Sequence, residues 1–358
     1  MTMRDTAAYL MDADFSVLGI VEGFSSLQWR ESYYGVGSFA ITAAGGYASM
    51  AKGAAYAIWN GSGYTGVIEN FDSDAHAVTL RGAFLEKELL HRAVNRHVQY
   101  SGGAEAVMRQ LVSDFCISPA DRRIPLLRLG ASRGLGGHVS ICPMGETVLG
   151  AIEDICLEQE LSFMLRYDFA EHAIVFEAFQ GIDRTQRQDA NAWCVFSREF
   201  DNVLEEKYSL ARDGRNFVYV AGEGEGAGRT VLEVDLSAGL RRRELFVDAR
   251  DLTRRLDGGG EMPMPEYLEL LRTRGKQRAA NYVTVESADL RVAPANTMEY
   301  GLGDVVTYAN RELGVVLEER ITEITHVIER NFAGCSVALG RTPLSIIDKL
   351  KRDRSVGR

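Results

Sequence analysis

The sequence predicts an α+β fold that is mainly β, with barrel- or sandwich-like β regions, an α/β insertion and a peripheral helical element. Three observations predict it. Before residue 85 the chain is a series of short aromatic and β-branched segments punctuated by Gly, Ser, Asn and Asp. Helical periodicity replaces that pattern after residue 100, and alternating segments return after residue 200. The chain has 358 residues, enough for two or three domains, and its 46% hydrophobic content is ordinary for a globular protein.

The elements follow in order. FSVLGIVEGF, SLQWRES, SFAITA, AYAIWN, YTGVIENF and AVTLRGAF are predicted strands, separated by turns such as NGSG at 60–63 and DSDA at 72–75. They predict an antiparallel barrel or sandwich over residues 1–92, a first β-barrel-like domain, with strands within 162–205 as candidates to complete it. Residues 93–165 are an α/β insertion: Ala104, Met108, Leu111 and Phe115 mark one helix face, and Val148, Ile152 and Ile155 another. SFMLRYDF and HAIVFEAFQG predict a hairpin. Residues 166–285 are a mixed β/α region with strands NFVYVAG, RTVLEVD and RELFVDA. A helix near 263–281 enters through Pro263 and Pro265 and buries Leu268 and Leu271. Residues 286–342 supply the closing strands of a second β-barrel-like domain, and 343–358 form a basic tail. GVIENFDSDAHAVTLRG and ERITEITHVIERNFAGCSVALG share a strand–turn–strand plan, consistent with an internal duplication.

Composition narrows the function. The five cysteines include no C-x-x-C, which favours reduced thiols in a core over a disulfide framework or a zinc knuckle. A net charge of −10 opposes electrostatic gripping of nucleic acid and is compatible with a surface past which nucleic acid slides. No apolar run reaches the length of a membrane span, and the acidic start is expected to carry no secretion signal.

The motif VAGEGEGAGR is the most conspicuous local feature. Gly222, Gly224 and Ala227 fit G-x-G-x-x-A, a pattern that binds a pyrophosphate only between a strand and a helix N-terminus. Here RTVLEVD follows, which alternates as a strand, and Glu223 and Glu225 would repel phosphate. Residues Gly222, Glu223, Gly224, Glu225 and Gly226 are therefore expected at a hairpin tip. His91 and His97 miss the i, i+4 spacing of helical metal ligands. There is no G-x-S-x-G elbow and no G-x-x-x-x-G-K-[ST] loop. The sequence thus points to no catalytic residue, cofactor or metal. Arg241, Arg242, Arg243, Asp248, Arg250 and Asp251 form a dense mixed-charge cluster, a candidate subunit interface. Arg272, Arg274, Lys276 and Arg278 line the predicted helix.

Seven segments occur in order: FSVLGIVEGFSSLQWRESYYGVGSF, LGASRGLGG, FQGIDRT, FSREFDNVLEEKY, VAGEGEGAGR, RRRELFVDARDL and LGDVV. Together they resemble a tail-hub family of long-tailed bacteriophages, the siphovirus Gp37-like group, over the chain to about residue 342. The resemblance implies a structural virion protein made in the host cytoplasm: a homotrimeric baseplate or tail-tip hub. Each chain would give two barrel-like domains to a ring, so three chains imitate six. Such a ring adapts a sixfold tail tube to a threefold tip and encloses a DNA exit channel without binding DNA specifically. The implied partners are the distal tail protein, the tape-measure protein, and a tip or fibre protein. The few residues after 342 are too short for an attached lysin domain. Two rival readings remain: a cell-wall-degrading hydrolase using paired carboxylates, and a carbohydrate- or receptor-binding module that presents the 262–282 helix or the 122–145 loops.

Overall fold

The computed structural model describes residues 6–340 apart from 144, 212–213, 256–259, 281, 283–284, 294–297 and 330–331. The predicted basic tail at 343–358 lies outside the described residues.

The first unit contains β1 (Ala7–Met11), β2 (Val17–Glu22), β3 (Ser26–Ser32), β4 (Ser38–Ala44), helix α1 (Ala48–Lys52), β5 (Tyr56–Trp59), β6 (Thr65–Ser73) and β7 (Ala77–Phe84). Strand periodicity decides which side chains enter the core. In β4, Phe39, Ile41 and Ala43 are buried and their neighbours are not. The strands run β3-β4-β7-β6-β5-β1-β2 across the sheet. Strands β3 and β5 are four steps apart, roughly 19 Å on a flat sheet. Their Trp29 and Trp59 rings nonetheless lie 5.9 Å apart, so the sheet curls round its core.

The α/β insertion follows: β8 (Tyr100–Gly103), α2 (Ala104–Val112), β9 (Leu127–Leu129), β10 (His138–Ile141), α3 (Val148–Gln159), β11 (Ser162–Asp168) and β12 (Ala173–Phe179). Ala104, Val107, Met108 and Leu111 bury one face of α2 at the i, i+3, i+4, i+7 spacing of an amphipathic helix. Thr147 caps α3: its hydroxyl accepts from Gly150 N at 3.0 Å. Strand β12 pairs antiparallel with β11 and parallel with β9. The core of the insertion takes in Met11, Phe15, Leu85 and Leu89, which seats it on the first unit. Phe15 is sandwiched between the rings of Tyr56 and Tyr167, at 4.0 and 4.2 Å.

The second unit contains β13 (Val195–Phe196) and β14 (Val203–Ala211). A small lobe then intervenes, made of β15 (Phe217–Ala221), β16 (Val231–Asp235), β17 (Glu244–Asp248) and α4 (Met264–Ala280). The unit resumes with β18 (Val285–Val292), β19 (Val305–Asn310), β20 (Val315–Glu329) and β21 (Phe332–Leu339). Strands β14 and β18 pair along their whole length, from Val203↔Val292 to Ala211↔Val285, so the lobe is an insert at the tip of one hairpin. This unit curls as well. From β14 the order runs β18, β21, β20, β19, again four steps, yet the Tyr308 hydroxyl of β19 donates to Glu206 of β14 at 2.9 Å.

The two units share one thirteen-stranded sheet. The 15-residue β20 joins them: its first half pairs with β19, and its second half pairs with both β21 and β3. The fold is thus mainly β, with two barrel-like units on one sheet, an α/β insertion and a peripheral helix. Four of the five cysteines are buried free thiols and Cys335 is half-buried.

Candidate functional site

The predicted site residues lie in the lobe. Its sheet runs β16-β15-β17, with α4 packed on one face through Val218, Val220, Tyr267 and Leu271. VAGEGEGAGR is the connection from β15 to β16, so the phosphate geometry is absent: a strand, and not a helix, follows it. Gly224 and Gly226 adopt φ of +103° and +52°, which L side chains rarely tolerate. Glu225 is exposed. Glu223 has partners within the chain. Its carboxylate accepts from Thr253 Oγ1 at 2.9 Å and Arg254 N at 3.0 Å, and its N–H donates to Tyr267 Oη at 2.7 Å. The loop is clamped to the segment that leads into α4.

The six charged candidates divide into separate contacts. Arg241, Arg242 and Arg243 precede β17. The Arg242 guanidinium lies over the Phe217 ring at 3.4 Å and pairs with Glu244 at 2.8 Å. The Arg243 N–H donates to Asn216 Oδ1. At the far end of β17, Asp248 accepts from Arg229 at 2.5 Å and from Arg250 at 2.6 Å. The Arg250 hydrogen bond, followed by that of Arg229, holds the Asp248 carboxyl below its usual range. Asp251 pairs with Arg274 of α4 at 3.0 Å. The Asp248 and Asp251 carboxylates thus already have partners within the chain.

The helical basic residues also separate. Arg272 pairs with Glu269. Arg274 and Arg278, one turn apart, line a cavity of about 260 Å³ between α3 and α4 that also contains Glu146, Asp154 and Asp251. Burial raises the Glu146 and Asp154 carboxyls and the two arginines oppose the rise.

Other motifs meet in space although they are distant in sequence. Glu105 of α2 accepts from Arg133 N at 3.0 Å and Leu135 N at 2.9 Å, which fixes the LGASRGLGG loop. Burial raises the Glu105 carboxyl, but the N–H bonds from Leu135 and Arg133 outweigh it and leave it lowered. FQGIDRT meets LGDVV through Asp304: one oxygen accepts from Ile182 N at 2.9 Å, the other from Arg184 Nε at 2.7 Å. Asn202 holds the turn in FSREFDNVLEEKY, donating to Val195 O and accepting from Ser197 N. Each contact is a backbone or ion-pair tie, a structural role.

A cavity of about 790 Å³ lies between the two β units and is lined by Glu31, Trp59, Ser62, Tyr300, His326 and Cys335, among others. Sequence reasoning did not single it out. Ser62 donates its hydroxyl to Glu31 Oε1 at 2.5 Å, and His326 Nε2 lies 4.0 Å from the same oxygen. The serine proton therefore points at the Glu31 carboxyl, and the serine's partner is not the imidazole that a nucleophile needs as its base. Burial raises Glu31 and lowers His326, favouring the neutral form of each. Among the described residues no group of three or more His, Cys, Asp and Glu side chains is arranged to hold a metal ion. No described helix is long and apolar enough to cross a membrane.

A profile of the Siphovirus ReqiPepy6 Gp37-like protein family matches residues 7–341. Three solved structures share the fold over nearly their full lengths. A tail protein from Neisseria meningitidis MC58 is 13% identical, with a TM-score of 0.54 over 94% of this chain and 96% of that one. Prophage tail protein gp18 from Listeria monocytogenes EGD-e is 11% identical, TM-score 0.54, over 98% and 99%. The 43 kDa tail protein of prophage MuSo2 from Shewanella oneidensis is 12% identical, TM-score 0.55, over 93% and 97%. No curated protein sequence matches the chain.

Proposed function

The chain belongs to the Siphovirus ReqiPepy6 Gp37-like protein family, and from that membership we propose that it is a structural component of a phage-type tail, the hub at its distal end. The observation that carries the reading is the pair of curled β units on one shared sheet. Each closes over four strand steps, through Trp29 and Trp59 in one and Glu206 and Tyr308 in the other. A chain with two such units supplies two similar wall segments, so a homotrimer presents six to a sixfold tube and three to the tip. The fold shared with three tail proteins supports the same reading.

In this role the β units form a stiff wall round the DNA exit, and the net charge of −10 disfavours lasting contact with phosphates. The distal tail protein, the tape-measure protein and a tip or fibre protein are its neighbours in the virion. The ties at Asp304, Asp248 and Glu105 hold loops in place, and the hub acts by assembly, without catalysis. Antibody labelling of intact particles tests the reading. Label confined to the tail's distal end supports it; label on the capsid, along the tube or absent from particles contradicts it.

A further inference from the structure

Two exposed apolar faces have no role in the fold described above. The first is at β2, the end strand of the thirteen-stranded sheet, paired with β1 on one side only. Its sequence VLGIVE lacks the Lys or Pro that protects open edges. Val17, Leu18 and Ile20 are exposed, Ile20 by 42%. Tyr9 sits opposite Ile20 and reaches the exposed Phe169, ring centroids 6.2 Å apart, which extends the apolar row. Asp12, Asp14 and Glu22 flank it in sequence.

The second face is on the other β unit. Trp193 is 52% exposed and Val316 72%, with Phe200 and Leu313 also open. Three ion pairs border them: Arg187–Glu318, Arg198–Glu206 and Arg311–Glu199. In each, the guanidinium is more exposed than its carboxylate, 79% against 20% in the first, so the cations form the outer rim. Scattered exposed hydrophobics are ordinary, but rows of them bounded by charge mark contact surfaces.

We propose that these are the two halves of one head-to-tail contact: the β2 edge of one copy seats on the Trp193–Val316 face of the next. The partner is a second copy because the faces are unlike. An isologous dimer through either face leaves the other bare, whereas a closed ring covers both. The carboxylates beside β2 are opposite in sign to the outward guanidiniums beside Val316, which also pair with Glu318, Glu206 and Glu199 of their own chain. This assignment rests on the ring reading above and deepens it by naming the surfaces.

The test uses the full chain and two variants, Ile20→Glu and Val316→Glu, with solution mass measured by light scattering and folding checked by circular dichroism. Wild type is expected to have the mass of a trimer, and each folded variant alone that of a monomer. An equimolar mixture of the variants retains one intact contact per pair and is expected to form a heterodimer that does not close. Should one variant fail to fold, Leu18→Glu or Trp193→Glu replaces it. A trimer unaffected by either change overturns this assignment while leaving the ring intact. A wild-type monomer at high concentration overturns the ring reading itself, and the assignment with it.

Discussion

The Tyr267 hydroxyl is shared between two backbone groups, accepting from Glu223 N at 2.7 Å and donating to Leu252 O at 3.0 Å. It thereby ties the glycine loop, the segment after β17 and α4 into one unit. Tyr267 is fully buried, so Tyr267→Phe strands a donor and an acceptor without water. The expected loss is about 1–3 kcal/mol, with faster amide exchange in residues 220–230. Gly222→Ala should be at least as damaging, because a Cβ there would stand 2.1 Å from the same hydroxyl. Thermal unfolding and hydrogen exchange check both.

Glu86 is fully buried, and burial pushes its carboxyl from 4.5 to about 8 although Leu165 N donates to it. Between those values the folded chain keeps a proton that the unfolded chain has released, so the fold loses stability as pH rises through that window. Glu86→Gln removes this dependence. The variant is expected to be more stable than wild type at pH 8, by roughly 2–4 kcal/mol, and to show little difference at pH 4. Denaturant titration across that range measures it, and a parallel loss in both proteins would count against this role.

Asp248 has the opposite sign. Its carboxyl is held low by Arg250 and Arg229, so its contribution is present above the unfolded value near 4 and disappears as pH falls through the folded value. Asp248→Asn should destabilise the lobe at neutral pH by about 1–2 kcal/mol, and the difference should shrink as pH falls through the folded value. Exchange rates in β15 and β17 report the lobe specifically.

Arg320 links the insertion to the second β unit: it donates to Gly303 O at 2.5 Å and pairs with Glu160 at 2.7 Å. Its two contacts are unequal. The Glu160 side chain is 63% exposed, so Glu160→Gln should cost under about 1 kcal/mol. Arg320→Ala also leaves Gly303 O unpaired and empties buried space, and should cost about 2–3 kcal/mol. Denaturation midpoints of the two single variants test the asymmetry.

The strands were legible because alternation imposes itself on local sequence: Phe39, Ile41 and Ala43 announce β4 without help from the rest of the chain. The helix over Met264–Ala280 was legible for the same reason, through Pro265 at its start and Leu271 on its buried side. Contacts between distant residues were not. Nothing near Glu223 signals a partner 44 positions on, and Arg184 meets Asp304 across 120. The charge cluster at 241–251 looked single because its residues are adjacent in sequence. A five-residue strand carries the chain away between Arg243 and Asp248, and each end finds different partners. The pairing of β3 with β20 was hidden too, since antiparallel register depends on both strands at once.

In the proposed hub, one chain contributes two comparable wall segments to a closed threefold ring. Electron microscopy of the purified protein, viewed end-on, tests it most directly. Three chains enclosing an opening, with six similar lobes around it, are expected. Single chains, or a twofold particle without an opening, would contradict it.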